Sequence, residues 1–142
     1  MRIYLAGPLF TTAEQEFNRK LASALQQAGH EIWLPQEHEP LDRTAKAIFD
    51  EDVKGIDWTE VVVANMDGPD PDSGTCWECG YAFRKKPIVL YRTDFRQAGD
   101  AANTPFNLMM SESADAVIVM PLASVKELAA KICEAMRRLG KS

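Results

Sequence analysis

The chain alternates short apolar runs with longer segments in which apolar residues recur at helical spacing, and this alternation constrains its fold more than any other feature. The apolar runs have the length and composition of buried strands. They occupy residues 2–7, 30–35, 60–67, 87–93 and 115–121. Strands that alternate with helices favour a parallel sheet covered by helices on both faces. The sequence therefore predicts an α/β fold with a doubly wound, five-stranded parallel sheet of the flavodoxin or Rossmann kind.

Length, charge and cysteine content narrow the function classes. A chain of 142 residues without an evident linker or repeat fits a single domain spanning residues 1–142. A net charge of −5 argues against binding to nucleic-acid polymers, because phosphate backbones attract clustered Lys and Arg. The three cysteines are too few for a disulfide framework, and neither a signal-peptide pattern nor a membrane-spanning run is evident. We therefore expect a cytoplasmic protein that binds a small molecule and no membrane.

The residues that follow the first and third predicted strands place a ligand site. Parallel sheets bind ligands beyond the carboxyl ends of their strands, where the strand order reverses. The sequence there reads GPLF at residues 7–10 and DGPDPDSG at residues 67–74, so these two loops converge on one crevice. Neither contains a dinucleotide-binding glycine motif or a phosphate-binding P-loop. The standard nucleotide cofactor sites are therefore not expected.

The second of these loops supplies candidate catalytic carboxylates. Asp67, Asp70 and Asp72 precede a predicted helix over residues 75–86, and Glu78 lies near the N-terminal end of that helix. The helix dipole favours an ionised carboxylate there, and such a group in a partly apolar crevice can act as a nucleophile. Paired carboxylates let one stay charged while another holds a proton. A solvated turn is an equally common use of such a loop.

The two cysteines that flank Glu78 allow other interpretations. Cys76 and Cys79 lie on one face of the predicted helix, which suits packing or redox chemistry. A zinc site lacks a second paired motif, and a calcium loop lacks the required spacing of Gly and Glu. We expect the cysteines to pack, Trp77 to lie in the core rather than form a stacking surface, and no metal to bind.

The same stretches resemble the nucleoside 2-deoxyribosyltransferase family. The matching pieces are YLAGPLF (4–10), DVKGI (52–56), GPDPDSGTCWECGYA (68–82) and NLM (107–109). DSGTxxExGxA is a specific signature, and the pieces occur in the family's order. The resemblance implies transfer of a 2-deoxyribosyl group between nucleobases by a ping-pong reaction, without a metal or an organic cofactor.

The resemblance also implies the catalytic residues. Glu78 corresponds to the nucleophile that attacks C1′ of a 2′-deoxynucleoside and forms a covalent deoxyribosyl-enzyme. Asp72 corresponds to the carboxylate that holds the sugar hydroxyls, and Asp52 to the one that contacts and protonates the leaving base. Tyr4 matches the tyrosine that orients the nucleophile.

A second set of residues is implied for substrate binding. Phe10 corresponds to a pocket wall, and Gln36 lies near the family's base-contacting glutamine. Asn107 matches an asparagine that reaches into a neighbouring subunit's site, which implies a homo-oligomer. The implied substrate-binding residues are Gly7, Phe10, Gln36, Gly74 and Asn107.

Two further interpretations stay open at this stage. Related enzymes with this fold hydrolyse nucleosides or nucleotides, and a catalytically silent nucleoside-binding module would show the same crevice. A nucleotide 5′-phosphate needs cations, although scattered basic residues are more often a solvated surface. The basic residues available are Arg43, Lys85, Lys86, Arg92 and Arg96.

Overall fold

A computed structural model describes residues 1–140 and contains one five-stranded parallel sheet. The strands are β1 (Arg2–Ala6), β2 (Glu31–Trp33), β3 (Val61–Asn65), β4 (Ile88–Arg92) and β5 (Ala116–Val119). Their order in the sheet is β2-β1-β3-β4-β5. This is the flavodoxin-like order, in which the direction of winding reverses between β1 and β3. The predicted fold class is therefore confirmed.

Five α-helices within residues 1–140 cover the sheet. They are α1 (Thr12–Gln27), α2 (Ala45–Trp58), α3 (Ser73–Ala82), α4 (Leu108–Ser113) and α5 (Val125–Leu139). Helices α1 and α5 pack on one face of the sheet, and α2, α3 and α4 pack on the other. In the part of the chain that the structure describes, no helix has the length and apolar character needed to span a membrane.

The central strands are buried on both faces, so alternate residues of β1 serve different layers. Ile3 and Leu5 pack towards α1 and α5, whereas Tyr4 packs with the residues of α2 and α3. Tyr4 is fully buried and pairs in register with Val62 of β3. The sheet therefore holds the Tyr4 phenol at a fixed position beneath α3.

Helix boundaries follow local capping chemistry. Thr44 caps α2, and the helix therefore begins at Ala45. Asp72 caps α3, and the helix ends at Ala82, before Arg84 turns into the left-handed region with φ 63°. The apolar stretch near residue 108 forms α4, which sequence reasoning missed because six residues show too little periodicity.

Candidate active site

A hydrogen bond between two residues that are distant in sequence, one on a strand and one on a helix, lies at the centre of the crevice. The Tyr4 hydroxyl donates to Oε1 of Glu78 over 2.7 Å. Tyr4 comes from β1 and is buried, whereas Glu78 comes from α3 and is half-buried. A contact between Tyr4 and Glu78 is the one that the family resemblance implied. A phenol donor at this distance fixes one carboxylate oxygen and leaves Oε2 open.

Burial controls the protonation of Glu78. It raises the pKa of the Glu78 carboxyl from 4.5 to about 7, and the charges of Asp52 and Asp72 add to the rise. The hydrogen bond from Tyr4 acts in the opposite direction and lowers this pKa. Near pH 7 the Glu78 carboxyl is therefore only partly ionised, because loss of solvent opposes the effect expected from the helix dipole.

Asp52 brings a second carboxyl group to Glu78 from α2. Burial is the main reason that its pKa rises from 3.8 to about 6, and the neighbouring charge of Glu51 adds to the rise. The charge of Asp52 in turn raises the pKa of both Glu78 and Tyr4. Two carboxyl groups that titrate near neutral pH and influence each other are typical of sites that need one acid and one base.

Asp72 combines a structural role with a position beside Glu78. Its Oδ2 accepts from the backbone N–H of Thr75 over 2.8 Å and from the Thr75 hydroxyl over 2.9 Å. Its Oδ1 accepts no hydrogen bond from residues 1–140 and stays available. A side chain at Gly74 would bring its Cβ to 3.3 Å from Asp72 Oδ2, so glycine leaves the capping carboxylate undisturbed.

The loop after β1 carries two of the expected binding residues. A Cβ at Gly7 would lie 3.2 Å from the Cβ of Asn65, so glycine lets this loop approach the end of β3 closely. Phe10 is 75% exposed, and its backbone N–H donates to Glu14 over 2.9 Å. In the single chain Phe10 therefore stands at the surface beside the N-terminus of α1 rather than forming an enclosed wall.

Gln36 is engaged with α1 instead of with the carboxylates. Its amide nitrogen donates to the backbone carbonyl of Gln15 over 3.0 Å, and its amide oxygen accepts from Asn18 over 3.0 Å. Both ends of the amide are used to fasten the short helical turn at Pro35–Glu37 to α1. Contact between Gln36 and a nucleobase stays a prediction.

Asn107 caps α4 at an exposed position. Its side-chain oxygen accepts from the backbone N–H of Met109 over 2.9 Å, and its amide nitrogen donates to Asp100 over 3.1 Å. No direct bond connects Asn107 to Tyr4 or Glu78 within the described chain. Its predicted role in a neighbouring subunit's site therefore stays a prediction.

Arg92 is a structural residue that sequence reasoning missed. It is fully buried at the end of β4 and donates to the backbone carbonyls of Met66, Gly68 and Arg96. The solvated surface position expected for most of the basic residues therefore does not hold for Arg92, and its guanidinium is already bonded to the backbone. Its place at the end of an apolar strand was the available signal. Lys86 is likewise committed to carbonyls near the end of α2.

A reciprocal set of bonds holds the acidic loop against the end of β4, and we call it the loop latch. Asp67 accepts from the backbone N–H and the hydroxyl of Thr93, both over 2.6 Å, and from the N–H of Asp94 over 2.8 Å. Asp94 accepts in return from the N–H of Gly68 over 3.1 Å. Together with Arg92, the loop latch fixes the start of the loop that ends at Asp72.

The residues next to Glu78 on α3 differ in their exposure to solvent. Cys79 is 1% exposed in the core and Cys76 is half-buried, and burial raises the pKa of both thiols. Packing by Cys79 is confirmed. Trp77 is 47% exposed, so the expected core position is wrong. Its indole stacks on the Tyr81 ring with centroids 5.4 Å apart. The ring of Phe49, from α2, packs against the same indole with centroids 5.1 Å apart.

Comparisons with known proteins identify the family and the fold. The model of the family "Nucleoside 2-deoxyribosyltransferase" matches residues 3–109. A conserved protein from Enterococcus faecalis V583 is 28% identical, with a TM-score of 0.76 over 94% of this chain and 98% of that one. The 2-deoxyribosyltransferase from Bacillus psychrosaccharolyticus is 23% identical, with a TM-score of 0.69, and the match covers 91% of this chain and 90% of that one. The CMP N-glycosidase BcmB from Clostridium botulinum is 18% identical, with a TM-score of 0.64, and the match covers 94% of this chain and 99% of that one.

Proposed function

The chain belongs to the nucleoside 2-deoxyribosyltransferase family, and from this membership we propose that it transfers a 2-deoxyribosyl group from one nucleobase to another. One observation carries the proposal. The Tyr4 hydroxyl donates over 2.7 Å to a half-buried Glu78 carboxyl whose pKa of about 7 responds to Asp52 and Asp72. These are the four residues to which the family resemblance assigns catalytic roles, and the structure brings them from separate parts of the chain to one crevice.

Glu78 is the proposed nucleophile. Its free Oε2 attacks C1′ of a bound 2′-deoxynucleoside while the bond from C1′ to the base nitrogen breaks and its electron pair leaves with the base. The positive character that builds at C1′ is stabilised by the carboxylate before capture, as in retaining glycosidases. Tyr4 keeps the other oxygen in place through its hydrogen bond. The product of this half-reaction is a deoxyribosyl ester of Glu78.

Asp52 is the proposed general acid. A purine or pyrimidine leaves more easily when it accepts a proton, and a carboxyl group with a pKa of about 6 holds a proton in part of the population near neutral pH. Its proton moves to the leaving base as the C1′ bond breaks. In the second half-reaction the incoming base returns a proton to Asp52 as its nitrogen attacks C1′ and Glu78 departs.

Asp72 is the proposed anchor for the sugar. Its Oδ2 is committed to Thr75, so Oδ1 is the atom that accepts from a sugar hydroxyl. Because the same side chain caps α3, the sugar is held by a residue whose position is already fixed by the helix. We further propose that Asn107 completes a neighbouring subunit's site, and full activity from a monomer would remove that assignment.

Hydrolysis is the second candidate function. The same covalent intermediate can be captured by water instead of by a second base. The structurally similar protein from Clostridium botulinum is described as a CMP N-glycosidase. Water that attacks C1′ in place of a second base would release deoxyribose and regenerate the Glu78 carboxylate.

Incubation with deoxyinosine and adenine separates the candidates. Chromatography that detects deoxyadenosine supports transfer, and hypoxanthine release without a new nucleoside supports hydrolysis. Binding of deoxyinosine without base release by the wild-type protein would instead indicate a silent binding module. Glu78→Gln should remove either activity, whereas the matched control Glu16→Gln, at an exposed carboxylate of α1, should retain it.

A further inference from the structure

A groove between α1 and α5 lies on the sheet face opposite to Glu78. Its volume is about 740 Å³, which is in the range of small-molecule sites. Small side chains make up much of its lining, and they leave room between the two helices. Ser23 and Gln27 add polar groups to the lining. We call the apolar lining residues the aliphatic floor, and they are Ala24, Ala28, Val125, Ala129, Ala130 and Cys133.

The charge of this groove contrasts with that of the whole chain. Lys20, Lys126 and Arg137 line it, and no acidic residue does. The chain as a whole has 21 acidic and 16 basic residues, so a wall with three cations and no acid departs from the average surface. A local positive potential of this kind attracts an anion.

The groove cations also differ from their neighbours on α5. Lys131 lies 2.7 Å from Glu134, and Arg138 contacts the same carboxylate. Among residues 1–140, no carboxylate lies within 4.0 Å of the three groove cations Lys20, Lys126 and Arg137. The charge of Arg137 still contributes, from a longer distance, to lowering the pKa of Glu134. Cations on the groove side of α5 therefore lack the ion pairs found on the other side.

We propose that the groove binds a small molecule that combines an aliphatic body with one anionic group. The aliphatic floor buries the body, and the three cations bind the anionic end. No aromatic side chain lines the groove, so flat ring systems gain no stacking surface there. The site is separate from the Tyr4–Glu78 crevice, and the proposal does not depend on the reaction proposed for that crevice.

Octanoate tests the proposal against two matched probes. Octanol has the same aliphatic body without the charge, and acetate has the charge without the body. Titration calorimetry should give the tightest binding for octanoate. Changes in ¹⁵N NMR chemical shift on addition of octanoate should be confined to residues of α1 and α5. The affinity for octanoate should also fall as salt is added, because exposed charges are screened.

Substitution of the groove cations provides the decisive comparison. Lys20→Gln combined with Arg137→Gln should weaken octanoate binding by roughly two- to thirtyfold, the sum of two exposed charge interactions. Arg19→Gln, which removes an exposed cation next along α1 but outside the groove, should leave the affinity unchanged. Equal affinities for octanoate and octanol, an unaffected double variant, shifts elsewhere in the chain or no binding would each overturn the proposal.

Discussion

Glu78→Gln should make the protein more stable at alkaline pH while it abolishes turnover. The folded protein retains the Glu78 proton up to about pH 7, whereas the unfolded chain releases it near the ordinary pKa of 4.5. Stability contributed by this group is therefore complete below pH 4.5 and is lost as the pH rises through 7. Glutamine does not ionise, and its amide oxygen can still accept the hydrogen bond from Tyr4.

The size of the effect follows from the rise in pKa. Each pKa unit corresponds to about 1.4 kcal/mol, so the rise from 4.5 to about 7 sets an upper limit of about 3.5 kcal/mol. Because the Glu78 side chain is partly open to water, solvent reduces the effect, and we expect a gain of about 1–3 kcal/mol at pH 8. At pH 4 the gain should be close to zero.

Urea unfolding of the variant and the wild type at several pH values between 4 and 8 measures this difference. The free energy of unfolding should diverge between the two proteins as the pH rises, with similar denaturant slopes. Glu16→Gln serves as the control for a carboxylate on the exposed surface and should show no such divergence. A difference that stays constant with pH, or a variant less stable than the wild type at pH 8, would refute the reasoning.

Three other changes probe the same site. Tyr4→Phe removes the donor that lowers the pKa of Glu78, so activity at pH 7 should fall by about tenfold or more and recover partly at higher pH; an unchanged pH profile would contradict this role. The wild-type pH profile of kcat/KM should be bell-shaped, with limbs near pH 6 and 7, and Asp52→Asn should remove the alkaline limb and reduce the maximum. Cys76→Ala combined with Cys79→Ala should retain the activity while it lowers the free energy of unfolding by about 1 kcal/mol, whereas loss of activity in a folded variant would favour redox chemistry.

The sheet was predictable because its strands carry a strong local signal. Residues Val61–Asn65 form a continuous apolar run bounded by turn residues, and such a run specifies a buried strand without knowledge of its neighbours. The convergence of the loops after β1 and β3 was also predictable, since the carboxyl ends of parallel strands share one edge, whereas the meeting of Tyr4 with Glu78 was implied by the family resemblance. Patterns within single elements were therefore sufficient for the architecture and for the location of the crevice.

Other features depend on partners that are distant in sequence. Burial of Glu78 against β1 raises its pKa to about 7, an effect that its position on the helix alone does not indicate. Trp77 lies outside because Phe49 of α2 and Tyr81 pack beside it at the surface. Arginine is a residue type usually found at the surface, yet Arg92 lies in the interior and donates hydrogen bonds to three backbone carbonyls. None of these contacts leaves a periodic trace in the sequence.

The loop latch divides the walls of the crevice into a stationary part and an adjustable part. Bonds from Asp67, Arg92 and Thr93 hold the loop that leads to Asp72, so the part of the crevice proposed to bind the sugar is preformed. The segment before α2, residues 39–44, is largely exposed and leads into the helix that carries Asp52. Changes of base preference should therefore arise in that segment, where the chain can adapt to a purine or a pyrimidine without moving Glu78.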